Sequence, residues 1–371
     1  SNIGVVFQDF IRYPFDVKTN IAVGNGGNEI DINYIKKIAL ELFKTDSPTG
    51  YSNNVCNYLL NELKSLGYEA SITNKGNVKL FIEGNSSEKT IATSAHVDTL
   101  GLMVRSINSD GTLNVTNVGG PSIPTLDGEY CKIVTRSEKV YTGTILCKSA
   151  SVHVYEDAKS APRDLSHMIV RIDEVVHNKE DVKALGINNG DYICYDPKTV
   201  ITPSGFLKSR FIDDKGSVCA ILAVLQEMKL NKIKPMYNTY VYFVNQEEVG
   251  HGAATTDSVV DEFVTVDMGC IGQDLAGNEY AVSICAKDSG GPYGYNLTNK
   301  LINLASNNNI NYVVDIFPFY GSDIGAAWRS GVDCAGALIG PGVHASHGME
   351  RTHLDAIINT SKLLYLYLTT K

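Results

Sequence analysis

Tyr240-Val241-Tyr242-Phe243-Val244-Asn245-Gln246-Glu247-Glu248-Val249-Gly250-His251-Gly252 decides the reading of this chain. An apolar, aromatic and β-branched run reads as a buried strand, and it ends on two adjacent carboxylates set beside glycines. Such a strand end is a poor place for charge that only solubilises, and like charges this close resist joint ionisation unless a cation is present. Two other segments repeat the design. Thr90-Ile91-Ala92-Thr93-Ser94 runs into His96-Val97-Asp98, and Phe263-Val264-Thr265-Val266 runs into Asp267. In open α/β sheets, ligands bind beyond the carboxyl ends of the strands, so these distant segments can converge. A fourth segment, Asp213-Asp214, follows Lys208-Ser209-Arg210-Phe211-Ile212 and opens a helical pattern.

Taken singly, each piece has an ordinary explanation. Carboxylates are favoured at a helix N-terminus by capping and the helix dipole, and an isolated strand-end Asp is more often a turn residue. Together they supply the imidazole and carboxylate donors that two adjacent divalent cations need. Extended backbone puts His96 and Asp98 on one face, where His96 can ligate and Asp98 can accept the other ring N–H. Asp213 has two oxygens and can bridge a cation pair. The pattern assigns Glu248 as a ligand and Glu247 as general base. Three histidines, His344, His347 and His353, crowd the segment from Gly340 to His353, and the residues alone do not choose among them.

The 371 residues allow more than one domain, and 43% hydrophobic with 20% charged content is ordinary for a globular chain. The net charge of −9 disfavours nucleic-acid or anionic-membrane partners. Eight cysteines include no C-x-x-C pair, and neither a signal peptide nor a bilayer-length apolar run is recognisable. The expectation is a cytoplasmic protein with reduced thiols. Walker A, H-E-x-x-H and G-x-S-x-G patterns are missing.

Residues 1–30, with the Gly/Asn-rich stretch Gly24 to Asn28, read as an extension and linker. From Asp31, Ile35, Ile38 and Leu42 form one helical stripe; Val55, Leu59, Leu63 and Leu66 form another, closed by Gly67. Residues 104–206 change texture into short alternating segments punctuated by Gly, Asp and Pro, such as Tyr130–Val134 and Tyr192–Tyr195. Helical pattern resumes at Val218. The simplest account is an α/β domain, 31–103 plus 207–371, interrupted by a small β-domain at 104–206.

In order, these segments resemble the M42 family of dinuclear metallo-aminopeptidases, the glutamyl and TET-type enzymes. Ser47-Pro48-Thr49-Gly50-Tyr51 is similar to the family's Pro-Ser-Gly-Tyr, His96-Val97-Asp98 to its His-x-Asp, and Ile212-Asp213-Asp214-Lys215 to its Leu-Asp-Asp/Asn-Arg. Glu247-Glu248-Val249-Gly250 matches its Glu-Glu-Val-Gly. The likeness covers about nine-tenths of the chain from Asp31 onward. Thr99, where the family often has Glu, and Lys215, in place of Arg, mark a divergent branch.

The resemblance implies a mixed-sheet α/β/α zinc-peptidase-like domain with an inserted small PDZ-like β-barrel used for oligomerisation. It implies two divalent ions per subunit, zinc or cobalt, with manganese also suited. Asp213 bridges them, His96 and Asp267 complete one site, and Glu248 and His347 complete the other. Glu247 is the base and Asp98 orients His96. His347 is chosen because it precedes Glu350 much as in the family's His-Ser-Pro-x-Glu. The implied activity is release of the N-terminal residue from peptides by a homo-oligomer, from dimer up to dodecamer. Two competitors are a glycosidase, which places its carboxylates across a cleft and usually needs no metal, and a non-catalytic scaffold or peptide-binding paralogue.

Overall fold

A computed structural model describes residues 30–256 and 259–371. The extension expected at 1–30 therefore lies outside the described residues, apart from Ile30. The central feature is a 10-stranded mixed sheet. Three parallel neighbours position the chemistry: Tyr237–Val244, Ser86–His96 and Glu262–Val266. Val244 lies opposite His96, and Thr265 lies opposite Ser94. This register brings His96, the Glu247-Glu248 turn and Asp267 to one level at the same sheet edge. Ala335–Val343 continues the parallel order beside Glu262–Val266, and Val282–Asp288 then pairs with it antiparallel.

One sheet face packs against helices Ile32–Leu42, Asn53–Ser65, Ile212–Leu230, Tyr295–Asn307 and Leu354–Thr369, whose apolar side chains share one core with Ile91, Val241 and Val264. The stripes Ile35/Ile38/Leu42 and Val55/Leu59/Leu63 point into that core. Gly67 follows the second helix in the left-handed region, with φ +80°, the backbone a helix-ending glycine supplies at little cost. The opposite face has a smaller core around Tyr242, Phe263 and Leu338, covered by the short helix Asp323–Arg329. Helices thus lie on both faces, but unequally.

The alternating region closes into a barrel of Gly101–Ile107, Leu113–Val118, Met168–Ile172, Val140–Cys147, Tyr130–Val134 and Tyr192–Tyr195, with its own core. Every paired barrel edge is antiparallel. The barrel begins at Gly101, ahead of the expected 104, because the segment after Asp98 runs straight into its first strand. Val200–Ile201 and Phe206–Ser209, at the end of the 104–206 span and across its boundary, join Glu350–His353 in a separate three-stranded sheet. No described helix is long and apolar enough to cross a membrane.

Candidate metal centre

Each ligand segment is aimed by a local backbone device. Phe211, Gln246 and His347 adopt left-handed φ values of 66°, 69° and 63°. Such backbone costs non-glycine residues on the order of 1–2 kcal/mol and clusters where surrounding structure over-determines it. Phe211 precedes the turn Asp213-Asp214, which departs from helical geometry and is joined by a cis peptide bond. Gln246 precedes Glu247. Lys75 Nζ donates to the Gly252 carbonyl at 2.8 Å, and Ala253 N–H donates to buried Asp323 at 2.9 Å, which holds the far end of the glutamate turn. Gly252 is required at that close approach, because a Cβ there would lie 2.2 Å from Asp323 Oδ1.

These devices bring together the residues singled out from the sequence. His96 Nε2 is 3.1 Å from Asp213 Oδ1 and 3.7 Å from Glu247 Oε2. His347 Nε2 is 3.4 Å from Asp213 Oδ2 and 3.6 Å from Glu248 Oε2. Asp213 therefore turns one oxygen toward each imidazole. Donor atoms of His96, Asp213 and Glu248 lie within 4.8 Å of one another, as do those of His96, Asp214 and Asp267. A cavity of about 250 Å³ opens onto Asp213, Glu247, Glu248, Asp267 and His347. Of the other two histidines, His353 caps the last helix and contacts Ser204 O, and the His344 backbone pairs with Arg351.

Asp98 has a wider set of contacts than the sequence indicated. The nearest acceptor to His96 Nδ1 is its own backbone carbonyl, at 2.9 Å; its carboxylate is 3.5 Å away. That carboxylate accepts the Glu247 and Glu248 N–H groups at 3.2 and 3.3 Å and the Thr49 hydroxyl at 2.6 Å. Asp98 thus binds the strand end to the glutamate turn, and the Ser47–Tyr51 segment straps both.

Sequence reasoning left several buried supports without a role. Glu350 accepts the Asp213 N–H at 3.0 Å and the His347 N–H at 2.9 Å, so one carboxylate holds two ligand residues. Asp214 accepts the His96 N–H at 3.2 Å. His347 Nδ1 donates to the Gly120 carbonyl at 2.9 Å, and Gly120 belongs to a barrel loop. Buried Arg210 spans the same junction, donating to Thr125 O at 2.8 Å and Gly348 O at 3.1 Å. Lys215 Nζ donates to the carbonyls of Leu42 and Thr45, at 3.2 and 2.7 Å, and closes the C-terminal end of the first helix. The adjacent Asp-Asp pair and the Glu350 that follows the histidines were the available signals; the barrel contacts had none.

The electrostatics fit cations. Burial pushes Glu247, Glu248 and Asp214 well above the usual carboxylate range, with neighbouring carboxylates adding to the effect. Burial, with the Asp213 charge, raises Asp267 to about 7 and Glu350 to about 8. For His96, burial opposes the charged form, but Asp213 and Asp98 outweigh it and hold the ring well above its ordinary value. His347, opposed by burial and supported by Asp213, rises to about 10. Asp213 is held low against burial by His347 and His96. Asp214 Oδ1 and Glu248 Oε1 are buried with no hydrogen-bond partner. Buried polar atoms are rarely left this way, and mixed imidazole and carboxylate donors around orphaned oxygens are what a pair of divalent ions takes up.

The M42 glutamyl aminopeptidase family model matches residues 76–363. YhfE of Bacillus subtilis is 44% identical over 328 residues, covering 88% of this chain and 95% of the relative. Among solved structures, an aminopeptidase from Desulfurococcus kamchatkensis superposes with a TM-score of 0.81 at 24% identity, covering 91% of this chain and 95% of that one. The TET1 peptidase of Pyrococcus horikoshii, described as assembling into a tetrahedron or a large octahedral shell, gives 0.80 at 19% identity over 91% and 100%.

Proposed function

Because this chain belongs to the M42 peptidase family and is an aminopeptidase, we propose that it works as a two-metal enzyme with Glu247 as its general base. The carrying observation is the placement of Asp213 between the two imidazoles, with one oxygen facing His96 and the other facing His347. His96, Asp213 and Asp267 would hold one divalent cation; Asp213, Glu248 and His347 would hold the other. Zinc or cobalt suits this set. Bound there, the ions would acidify a water and stabilise negative charge on the scissile carbonyl oxygen.

The protein's own groups supply the rest. Glu247, raised by burial, is a fitting acceptor for the proton of the attacking water and can pass it to the leaving amine. Asp98 fixes the Glu247 and Glu248 backbone, which sets where that carboxylate stands. Glu350 fixes Asp213 and His347 together. Phe319 and Tyr320 wall the cleft. The barrel, PDZ-like by family resemblance, is assigned to self-association into a homo-oligomer. The unpaired state of all eight cysteines suits a reducing, cytoplasmic setting.

The test is turnover of aminoacyl p-nitroanilides by the purified protein with and without chelator. Loss of turnover with EDTA and recovery on adding zinc or cobalt is expected. Full activity in chelator would overturn the two-metal reading, and two bound ions with no cleavage of any peptide substrate would favour a scaffold.

A further inference from the structure

The Asp98 carboxylate is the hub of the glutamate turn, and its strongest partner lies outside that turn. Oδ1 accepts the Glu247 N–H at 3.2 Å and Oδ2 accepts the Glu248 N–H at 3.3 Å, while His96 Nδ1 stands 3.5 Å from Oδ1. The shortest contact is the Thr49 hydroxyl, which donates to Oδ2 at 2.6 Å. A hydroxyl at this distance from a carboxylate makes a charge-assisted bond, roughly twice as strong as a neutral one. Asp98 and Thr49 are both buried, so solvent does not compete for that oxygen. Thr49 is itself held from three sides. Its N–H donates to the Thr99 carbonyl at 3.1 Å, and its carbonyl accepts the Tyr192 hydroxyl at 3.1 Å. Two residues earlier, the Ser47 carbonyl accepts the Thr99 N–H at 2.9 Å, and the Ser47 hydroxyl donates to the Val97 carbonyl at 2.8 Å. The strap is therefore tied to the residues on either side of Asp98 and, through Tyr192, to the barrel strand Tyr192–Tyr195. A threonine that only fills space commonly gives its hydroxyl to a nearby backbone group; this one is delivered to a charged oxygen.

From this geometry we propose that Thr49 is a positioning residue for Glu247: its hydroxyl fixes the rotation of the Asp98 carboxylate, and the fixed carboxylate holds the backbone from which the Glu247 side chain projects. The inference rests on the reading of Glu247 as general base and adds to it a residue outside the lining of the metal cleft. Without the hydroxyl, Oδ2 loses its shortest bond and the carboxylate is free to turn, so neither glutamate N–H keeps a fixed acceptor. The Glu247 carboxylate then wanders from the place where it must meet the attacking water, and small misplacements of a reacting group are costly. The metal ligands keep anchors of their own. Glu350 holds Asp213 and His347, and Asp214 holds the His96 N–H. Loss of the Thr49 hydroxyl should therefore slow turnover while leaving the ions in place.

The experiment uses the full-length, metal-loaded protein and the aminoacyl p-nitroanilide that it cleaves best. Thr49→Val keeps the shape and removes the hydroxyl; Thr49→Ser keeps the hydroxyl. Thr49→Val should lower kcat by about 10–100-fold and retain both ions by elemental analysis. Its KM should stay within about twofold, because an effect on the proton acceptor falls on the chemical step. Thr49→Ser should restore kcat to within about threefold of the unaltered protein. In a Glu247→Gln background, Thr49→Val should cost less than about twofold more, since the group it positions is already gone. An unchanged kcat in a folded Thr49→Val, loss of an ion, an equal loss in Thr49→Ser, or the full loss repeated on top of Glu247→Gln would each overturn the inference. If Thr49→Val does not fold, Tyr192→Phe loosens the same strap from the barrel side and should lower kcat by about threefold; an unchanged kcat there would overturn it equally. A Glu247→Gln protein with full kcat sinks the general-base reading together with this inference, whereas a large loss in Glu247→Gln with none in Thr49→Val sinks this inference alone.

Discussion

Removing the metal ions should make this protein lose stability as the pH rises, with a slope that can be worked out from the buried acids. Asp267 and Glu350 are 4% and 2% exposed, and in the cation-free chain their pKa values stand at about 7 and about 8. An unfolded chain releases these protons near pH 4. Between those limits the folded chain therefore holds protons that the unfolded chain has lost, and stability falls as pH rises. At pH 7 the two groups together retain roughly 1.5 protons, which corresponds to a loss of roughly 2 kcal/mol per pH unit. The His347 side chain is 39% exposed, so its like-signed contribution is discounted for screening by water. Asp213 is held low and acts in the opposite sense, but only below the ordinary carboxylate range. Domains commonly have about 5–15 kcal/mol of stability, so the effect is large. The assay is urea unfolding at pH 6, 7 and 8, followed by circular dichroism at fixed protein concentration, with EDTA and with saturating zinc. The chelated protein should weaken steadily and the zinc-loaded protein should hold nearly level. A chelated protein whose stability is flat or rises across that range would refute the argument that cations, rather than protons, neutralise this cluster in the working enzyme.

Other outcomes follow from single contacts. Glu247→Gln should keep both metals by elemental analysis and lower kcat by about 10²–10⁴-fold, since it removes only the proton acceptor. Glu350→Gln presents one oxygen where the Asp213 and His347 N–H groups need two, and titration calorimetry should show metal affinity weakened by about 10–100-fold. His347→Ala should retain one ion and lose the other, read as a change in metal stoichiometry with the far-ultraviolet spectrum unchanged. Gly252→Ala forces a Cβ to within 2.2 Å of Asp323 Oδ1, and thermal unfolding should report a loss of about 1–3 kcal/mol.

The sheet was legible where residue chemistry and period agree. Tyr237–Val244 and Glu262–Val266 carry the aromatic and β-branched runs Tyr240–Val244 and Phe263–Val266, which suit strands covered on both faces, and Tyr130–Val134 stands out by alternation. The boundary at Gly101 was not legible, since a strand that passes directly from one unit into the next carries no punctuation. Convergence of His96, Asp213, Glu247 and Asp267 followed from their place after strands or before a helix. The carbonyl of Gly120 and the guanidinium of Arg210 depend on contacts between distant segments. Nothing local in the sequence marks a backbone oxygen as the partner of a histidine far along the chain.

That backbone oxygen makes the barrel a brace as well as an attachment. Gly120 steadies the ring of His347, Ser122 N–H bonds the His347 carbonyl at 3.0 Å, and Arg210 rivets Thr125 to Gly348. Excising the inserted segment to obtain a minimal hydrolase would therefore leave an imidazole without its tether. Any force that tilts the barrel, including the docking of a sister subunit, would be felt first at that ring.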